Sequence, residues 1–338
     1  MKRKETISRV AATRIRLALA CAGALASAPA PALDHGEYVA LRAIYDATNG
    51  DAWFDRAGWD ADVEADVCDD GAGNAWTGVV CDPGTGHVVE ILLAGNNLTG
   101  SLPDLRGLPE VHYFDFDFNA IGGTLASAHL ESLAQLDTFH AVHNLLRGTI
   151  PSLQSLSLLQ EFIVSENELT GPLPDIDGLT LLGNFDVSYN FLSGPIPSAT
   201  VDGAPGFDGL PNLREFTVSH NELTGSIPYL GHLHALTAFR VGDNRLSGVL
   251  PAVPLGAGGE TILNEGDSTL CPNALIDRPD PAWDDATGES LLGRTWYFDD
   301  AFPGGACSEL VFANGFDARE LPIAPRRVGA MVPMEETP

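Results

Sequence analysis

Basic residues are scarce in this 338-residue chain: Lys2 and Lys4 are its only lysines, and 18 cations face 46 acids for a formal net charge of −28. Residues 1–32 hold six of those cations and one acid, so residues 33–338 carry twelve arginines against forty-five acids, close to −33. Nucleic acid and anionic membranes both require a basic footprint, so neither fits as a partner. Cysteine is also rare, with five in all and no C-x-x-C spacing. H-E-x-x-H and the G-x-S-x-G elbow are both missing, which removes the usual signals of zinc hydrolases and α/β-hydrolases. After the N-terminus no apolar run is long enough to span a bilayer, so no later transmembrane helix is expected.

What is present begins with a targeting pattern. Lys2, Arg3, Lys4, Arg9, Arg14 and Arg16 precede the short apolar run Leu17–Ala28, with Ala-x-Ala exits near Ala28 and Ala32. That order reads as a secretory signal over residues 1–32. The expected product is a secreted or envelope-associated monomer. Export makes the four remaining cysteines candidates for disulfides. Chain position pairs Cys68 with Cys81 and Cys271 with Cys307, one pair on each side of the central region. Zinc is the weaker alternative, because neither pair is tightly spaced.

The central region is periodic. Asparagine, then Leu or Ile two residues on, then glycine, then Leu or Ile again recurs at Asn96, Asn119, Asn144, Asn167, Asn190, Asn221 and Asn244, in steps of 23, 25, 23, 23, 31 and 23. A period in the twenties with apolar positions and a fixed asparagine is the signature of a leucine-rich repeat solenoid. A single unit cannot bury its apolar side alone, so the copies must stack. In Leu159–Pro174 the residues Leu159, Phe162, Val164, Leu169 and Leu173 are expected inward, with a short strand around Phe162 that pairs in parallel with its neighbours. Each asparagine amide is placed to satisfy backbone groups of its own and adjacent coils. Five residues before the asparagines stand Phe114, Phe139, Phe162, Phe185, Phe216 and Phe239, with Ile91 in the first copy. They read as an aromatic stack in the core. The step of 31 adds eight residues within Ser198–Gly209, whose Gly, Pro and Asp content marks an outer loop.

Segments such as NNLTGSLP (Asn96–Pro103), NELTGPLP (Asn167–Pro174) and NELTGSIP (Asn221–Pro228) closely resemble the plant-specific class of leucine-rich repeats. That class includes receptor-kinase ectodomains and polygalacturonase-inhibiting proteins. Tyr38–Trp53, Cys68 and the run Trp76–Cys81 look like the N-terminal cap of the same family, so the likeness covers about residues 37–251. It implies an α/β fold: a right-handed solenoid of about seven repeats with a concave parallel β-sheet and disulfide-bonded caps at both ends. It also implies recognition rather than catalysis, although the fold alone does not transfer a ligand. The expected layout is a signal at 1–32, an N-terminal cap at 33–86, repeats at 87–258, a C-terminal cap at 259–317 and a flexible tail at 318–338. LVFANGFD, Leu310–Asp317, resembles a short C-terminal element of exported gammaproteobacterial proteins, which points to a bacterial source.

A ligand is expected on outward-facing residues four, two and one before each asparagine, together with Tyr113 and Glu161. The candidate set is Tyr113, Asp115, Asp117, Phe118, His140, His143, Glu161, Glu166, Asp186, Tyr189, His220, Arg240 and Asp243. Rings, imidazoles and carboxylates in neighbouring coils resemble an interface hot spot more than a solvated face. Asp115, Asp117, His140 and His143 could hold a divalent ion or act as acid and base, but they lack metal spacing. No metal, no cofactor and no catalytic residue is therefore expected. Thr99, Thr170, Ser193, Thr224 and Ser247 form a hydroxyl column that follows the repeat consensus. The expected function is binding of a protein or peptide, with a surface glycan as the alternative and a hydrolase as the remote third reading.

Overall fold

The computed structural model describes residues 33–60, 67–68, 75–201, 204–256, 259–276 and 281–287. The expected signal, the tail and Cys307 lie outside the described residues. The fold is a leucine-rich repeat solenoid. Eight short strands form its concave sheet: Val79–Cys81, Val88–Leu92, Tyr113–Asp115, Thr138–His140, Glu161–Ile163, Asn184–Asp186, Glu215–Thr217 and Ala238–Arg240. The first pairs antiparallel as part of the cap, and each later pair is parallel and in register.

The core lies directly beneath that sheet. Phe139, Phe162, Phe185, Phe216 and Phe239 stack with centroids 5.6–6.0 Å apart, and Phe114 joins at 6.2 Å. At the far end Trp283, in the helix Pro281–Thr287, covers Phe239 and donates its indole N–H to the Pro251 carbonyl at 2.9 Å. At the near end the helix His35–Ala47 is N-capped by Asp34, whose carboxylate accepts the Gly36 N–H, and it buries Leu41, Ile44 and Tyr45 against Trp53 and Trp59. Glu37, only 1% exposed, ties this helix to the first coil by accepting from the Val88 N–H and meeting His87 Nδ1, both at 3.1 Å. Cys68 and Cys81 form the expected disulfide, and Cys271 is disulfide-bonded as well.

The asparagines do the backbone work expected of them. Asn167 is typical: its Nδ2 donates to the carbonyls of Ala141, Val164 and Ser165, and its Oδ1 accepts the Leu146 N–H. Each rung therefore closes two coils at once. The ladder has one rung more than the sequence period suggested. Asn273 donates to Val241 and Leu270 and accepts from the Leu246 N–H, so an eighth coil follows the seventh.

Two features differ from the sequence reading. After each asparagine the chain forms a second run of short parallel strands, in which Arg147–Gly148, Glu168–Gly171, Phe191–Pro195, Glu222–Gly225, Arg245–Val249 and Ala274–Ile276 are neighbours. Thr170, Ser193, Thr224 and Ser247 of the hydroxyl column stand on these strands, and Thr99 stands on a separate pair, Thr99–Ser101 with Ala120–Gly122. The expected outer loop is instead pinned by an antiparallel pair, Ala199–Val201 with Ala204–Gly206, and the following Phe207 is buried edge-on against Phe216 at 5.2 Å.

Candidate functional site

The parallel register sets the expected residues in rows. Across the concave floor, Tyr113, Thr138, Glu161, Asn184 and Glu215 are successive partners, as are Asp115, His140, Ile163, Asp186, Thr217 and Arg240. Side chains link the rows diagonally. His140 Nε2 lies 3.1 Å from Glu161 Oε2, the Tyr113 ring meets the His140 ring edge-on at 5.7 Å, and Arg240 donates to Glu215 Oε2 at 2.9 Å. Asp117 Oδ1 accepts the Val142 N–H at 2.6 Å, and Asp186 accepts both the N–H and the hydroxyl of Ser188.

Burial dominates the titration of this floor. It pushes Asp117 up to about 6, with the neighbouring Asp115 charge adding to the effect and the Val142 N–H opposing it. Burial likewise raises Asp115 and Asp186 above the ordinary aspartate value. The Tyr113 hydroxyl is raised first by burial and then by the charges of Asp115, Asp117, Glu161 and Glu90. For His140 burial acts downward, but the Glu161 hydrogen bond and the charges of Asp117, Glu161 and Asp115 outweigh it, so its pKa is raised. Asp115, Asp117, His140 and His143 do not assemble a cation site: His140 turns to Glu161 and His143 to Glu166. Among the described residues no group of three or more His, Cys, Asp or Glu is placed to hold a metal.

The expected column immediately before the asparagines behaves differently. The strands end four residues before each asparagine, so these residues sit on the turn that follows. Phe118, His143, Glu166, Tyr189, His220 and Asp243 all have φ between 52° and 57°. The left-handed region is disfavoured for residues with a Cβ by roughly 1 kcal/mol each. In the first coil the position is Gly95, φ 64°, where a Cβ would meet nothing within 4 Å. Phe118 and Tyr189 are nevertheless 48% and 43% exposed. The Phe118 ring lies 5.7 Å from His143, whose Nδ1 is 2.9 Å from Glu166 Oε2. Tyr189 stacks on His220 at 4.0 Å, and His220 Nδ1 is 2.5 Å from Asp243 Oδ2.

Beside the floor a cleft of about 530 Å³ is lined by Gln160, Glu161, Leu181, Gly183, Asn184, Asn212, Arg214 and Glu215. Gly183 stands where the adjacent coils carry Gln160 and Arg214, and this missing side chain helps open the space. Asn184 Oδ1 is buried there without a hydrogen-bond partner. Glu90, Asn184 and Glu215 were missed as floor residues by the sequence reading. Their spacing, six residues before an asparagine like Tyr113 and Glu161, was the available signal.

The fold is that of a leucine-rich repeat solenoid, and solved plant receptor ectodomains are similar to it. The ectodomain of the Arabidopsis receptor kinase HAESA, solved with the peptide hormone IDA and the co-receptor SERK1, is similar over 60% of this chain at 25% identity and a TM-score of 0.50. The ectodomain of Arabidopsis GASSHO1/SCHENGEN3, solved with CASPARIAN STRIP INTEGRITY FACTOR 2, matches over 63% at 28% identity and a TM-score of 0.49. That of Arabidopsis SOBIR1 matches over 57% at 24% identity and a TM-score of 0.44. The matched region spans 32% and 28% of the first two receptor chains and 98% of the third. No protein-family model and no curated protein sequence matches the chain. No helix among the described residues is long and apolar enough to cross a membrane.

Proposed function

We propose that this chain is a non-enzymatic recognition module that binds a protein or peptide across its concave floor. The observation that carries the reading is the pair of registered rows, Tyr113, Thr138, Glu161, Asn184 and Glu215 beside Asp115, His140, Ile163, Asp186, Thr217 and Arg240. These side chains lie on consecutive strands, outside the core, and they differ from coil to coil while the core beneath repeats. A fold needs no such variety on its open face, whereas recognition of one extended partner does. The peptide hormone held by the HAESA ectodomain supports the same use of this architecture. Export is part of the proposal, through the signal pattern at residues 1–32 and the cystine-closed cap. So is a bacterial source, through the Leu310–Asp317 element.

The floor carries Glu90, Asp115, Asp117, Glu161, Asp186 and Glu215 against Arg240 and His140, so the partner should present basic or donor groups. The test is affinity capture on the immobilised full chain, followed by titration of the captured protein against Tyr113→Ala and Asp186→Asn variants. The reading expects each to weaken Kd by about tenfold or more, as hot-spot truncations do. Unchanged affinity in both, or binding to a glycan array with no protein ligand, would overturn it.

A further inference from the structure

The turn residues invite a separate reading, because folding does not account for them. Gly95 shows that glycine satisfies this left-handed turn, yet the next six coils place there, in order, Phe118, His143, Glu166, Tyr189, His220 and Asp243. The order is ring, imidazole, carboxylate, and then the same three again. In each set the ring packs on the imidazole and the imidazole Nδ1 bonds the carboxylate.

That chemistry has a definite polarity. An ionised carboxylate can only accept, so the bonded Nδ1 of a neutral imidazole must carry the hydrogen and Nε2 is left as an acceptor. Each set therefore offers an electron-rich ring face and an anionic carboxylate, with an acceptor nitrogen wherever the imidazole is neutral. The row just beyond the asparagines adds Glu168 and Glu222, with Arg245 held 3.2 Å from Glu222. It also adds the exposed side chains of Leu145 and Phe191, which suit the aliphatic stem of a long cation. Gly95 leaves the face of Phe118 away from His143 uncovered by its own row, and Glu166 precedes Tyr189 in the row. A guanidinium laid on each ring would have an open face, and at Tyr189 it would also have the Glu166 carboxylate one coil away.

We propose that this ridge is a docking rail for an extended segment of a protein partner that bears two arginines. It goes beyond the concave-floor reading and does not depend on it. Phe118 and Tyr189 are three coils apart, about 14 Å at the spacing of paired strands. An extended chain covers that distance in about four residues, so the segment carries arginine at positions i and i+4.

The test uses fluorescein-labelled synthetic peptides and fluorescence anisotropy with the full chain. The probes are an Arg-(Gly/Ser)3-Arg peptide, an isomer with the two arginines adjacent, and the same sequence with glutamate for arginine. The spaced peptide should bind about tenfold more tightly than its isomer, and the glutamate peptide should not bind. Tyr189→Gly and Phe118→Gly should each weaken the spaced peptide about tenfold while the melting temperature stays within a few degrees of the parent, because glycine suits the turn. Glu166→Gln should weaken it similarly, and Asp186→Asn on the floor should not. Equal affinity for the two arginine isomers would reduce the effect to diffuse attraction by an acidic protein and overturn the proposal. Retention of binding by both glycine variants would also overturn it. Loss of binding only in Asp186→Asn would assign the peptide to the floor and sink the ridge while sparing the floor reading.

Discussion

Replacing Asp117 with asparagine should stabilise this protein at neutral pH, and the gain should vanish in acid. Asp117 is held at about 6 against an ordinary value of 3.8, mainly because burial disfavours its charge and Asp115 adds like charge. A difference of that size corresponds to about 3 kcal/mol at most, and partial solvent exposure with the nearby His140 brings the realistic figure to about 1–2 kcal/mol. The sign follows from a folded pKa above the unfolded one. The folded state holds the proton more tightly, so the contribution to stability is fully present below about 3.8 and is lost as pH rises through about 6. Asparagine retains an oxygen for the Val142 N–H, which now bonds Asp117 Oδ1 at 2.6 Å, and it carries no charge to bury. Differential scanning fluorimetry from pH 4 to pH 8 should show Asp117→Asn melting roughly 2–6 °C above the parent at pH 7.5. The two curves should converge near pH 4. A variant that melts lower at pH 7.5, or a gap independent of pH, would refute the assignment of burial as the dominant force at this carboxylate.

Asn167→Ala should lower stability by about 3 kcal/mol or more, since it strands three carbonyls and the Leu146 N–H in the interior. Urea titration followed by circular dichroism gives the midpoint, and a loss below about 1 kcal/mol would contradict the role given to the ladder. Glu37→Gln should bring the titration of His87 down toward its ordinary 6.5, because the Glu37 hydrogen bond and charge are what raise it. The stability that this pair contributes is present below 6.5 and is lost as pH rises through the higher folded value. An NMR titration of the His87 ring that does not move in the variant would count against the pairing.

The architecture was legible because its positions repeat. The six phenylalanines of the stack and the asparagines from Asn119 to Asn244 meet nearly the same surroundings in every coil, whereas Asn96 pairs with Asp55 of the cap, so one constraint stood in the sequence many times over. Asn273 escaped because it follows Asn244 by twenty-nine residues and lacks the glycine of the motif: Asp277 stands in its place. The second run of strands escaped because its members are two to five residues long, too short for alternation to register. Spacing alone puts the turn column on the strands, whereas the structure sets it on the turn after them. Nothing in Phe118 or Tyr189 signals a positive φ, and Gly95 was the single hint. The raised carboxylates follow first from burial on the stacked coils, with the Asp115 charge adding at Asp117, and one-dimensional spacing carries little information about burial.

The eight-residue insertion shows how this fold separates what it must conserve in space from what it can vary. Between Asn190 and Asn221 the chain is longer, yet the strands Asn184–Asp186 and Glu215–Thr217 remain adjacent and in register. Register survives because Asn221 still accepts the Leu192 N–H and donates to Val187, as its counterparts do across ordinary steps. At the end of the insertion Phe207 fills space in the core against Phe216. Both candidate surfaces consequently cross the insertion without a break: Asp186 stays beside Thr217 on the floor, and Tyr189 stays stacked on His220 along the turn. Spacing along either surface is thus fixed by strand pairing and not by chain length. A partner matched to one of them should therefore tolerate shortening of Ser198–Gly209 so long as Phe207 is kept.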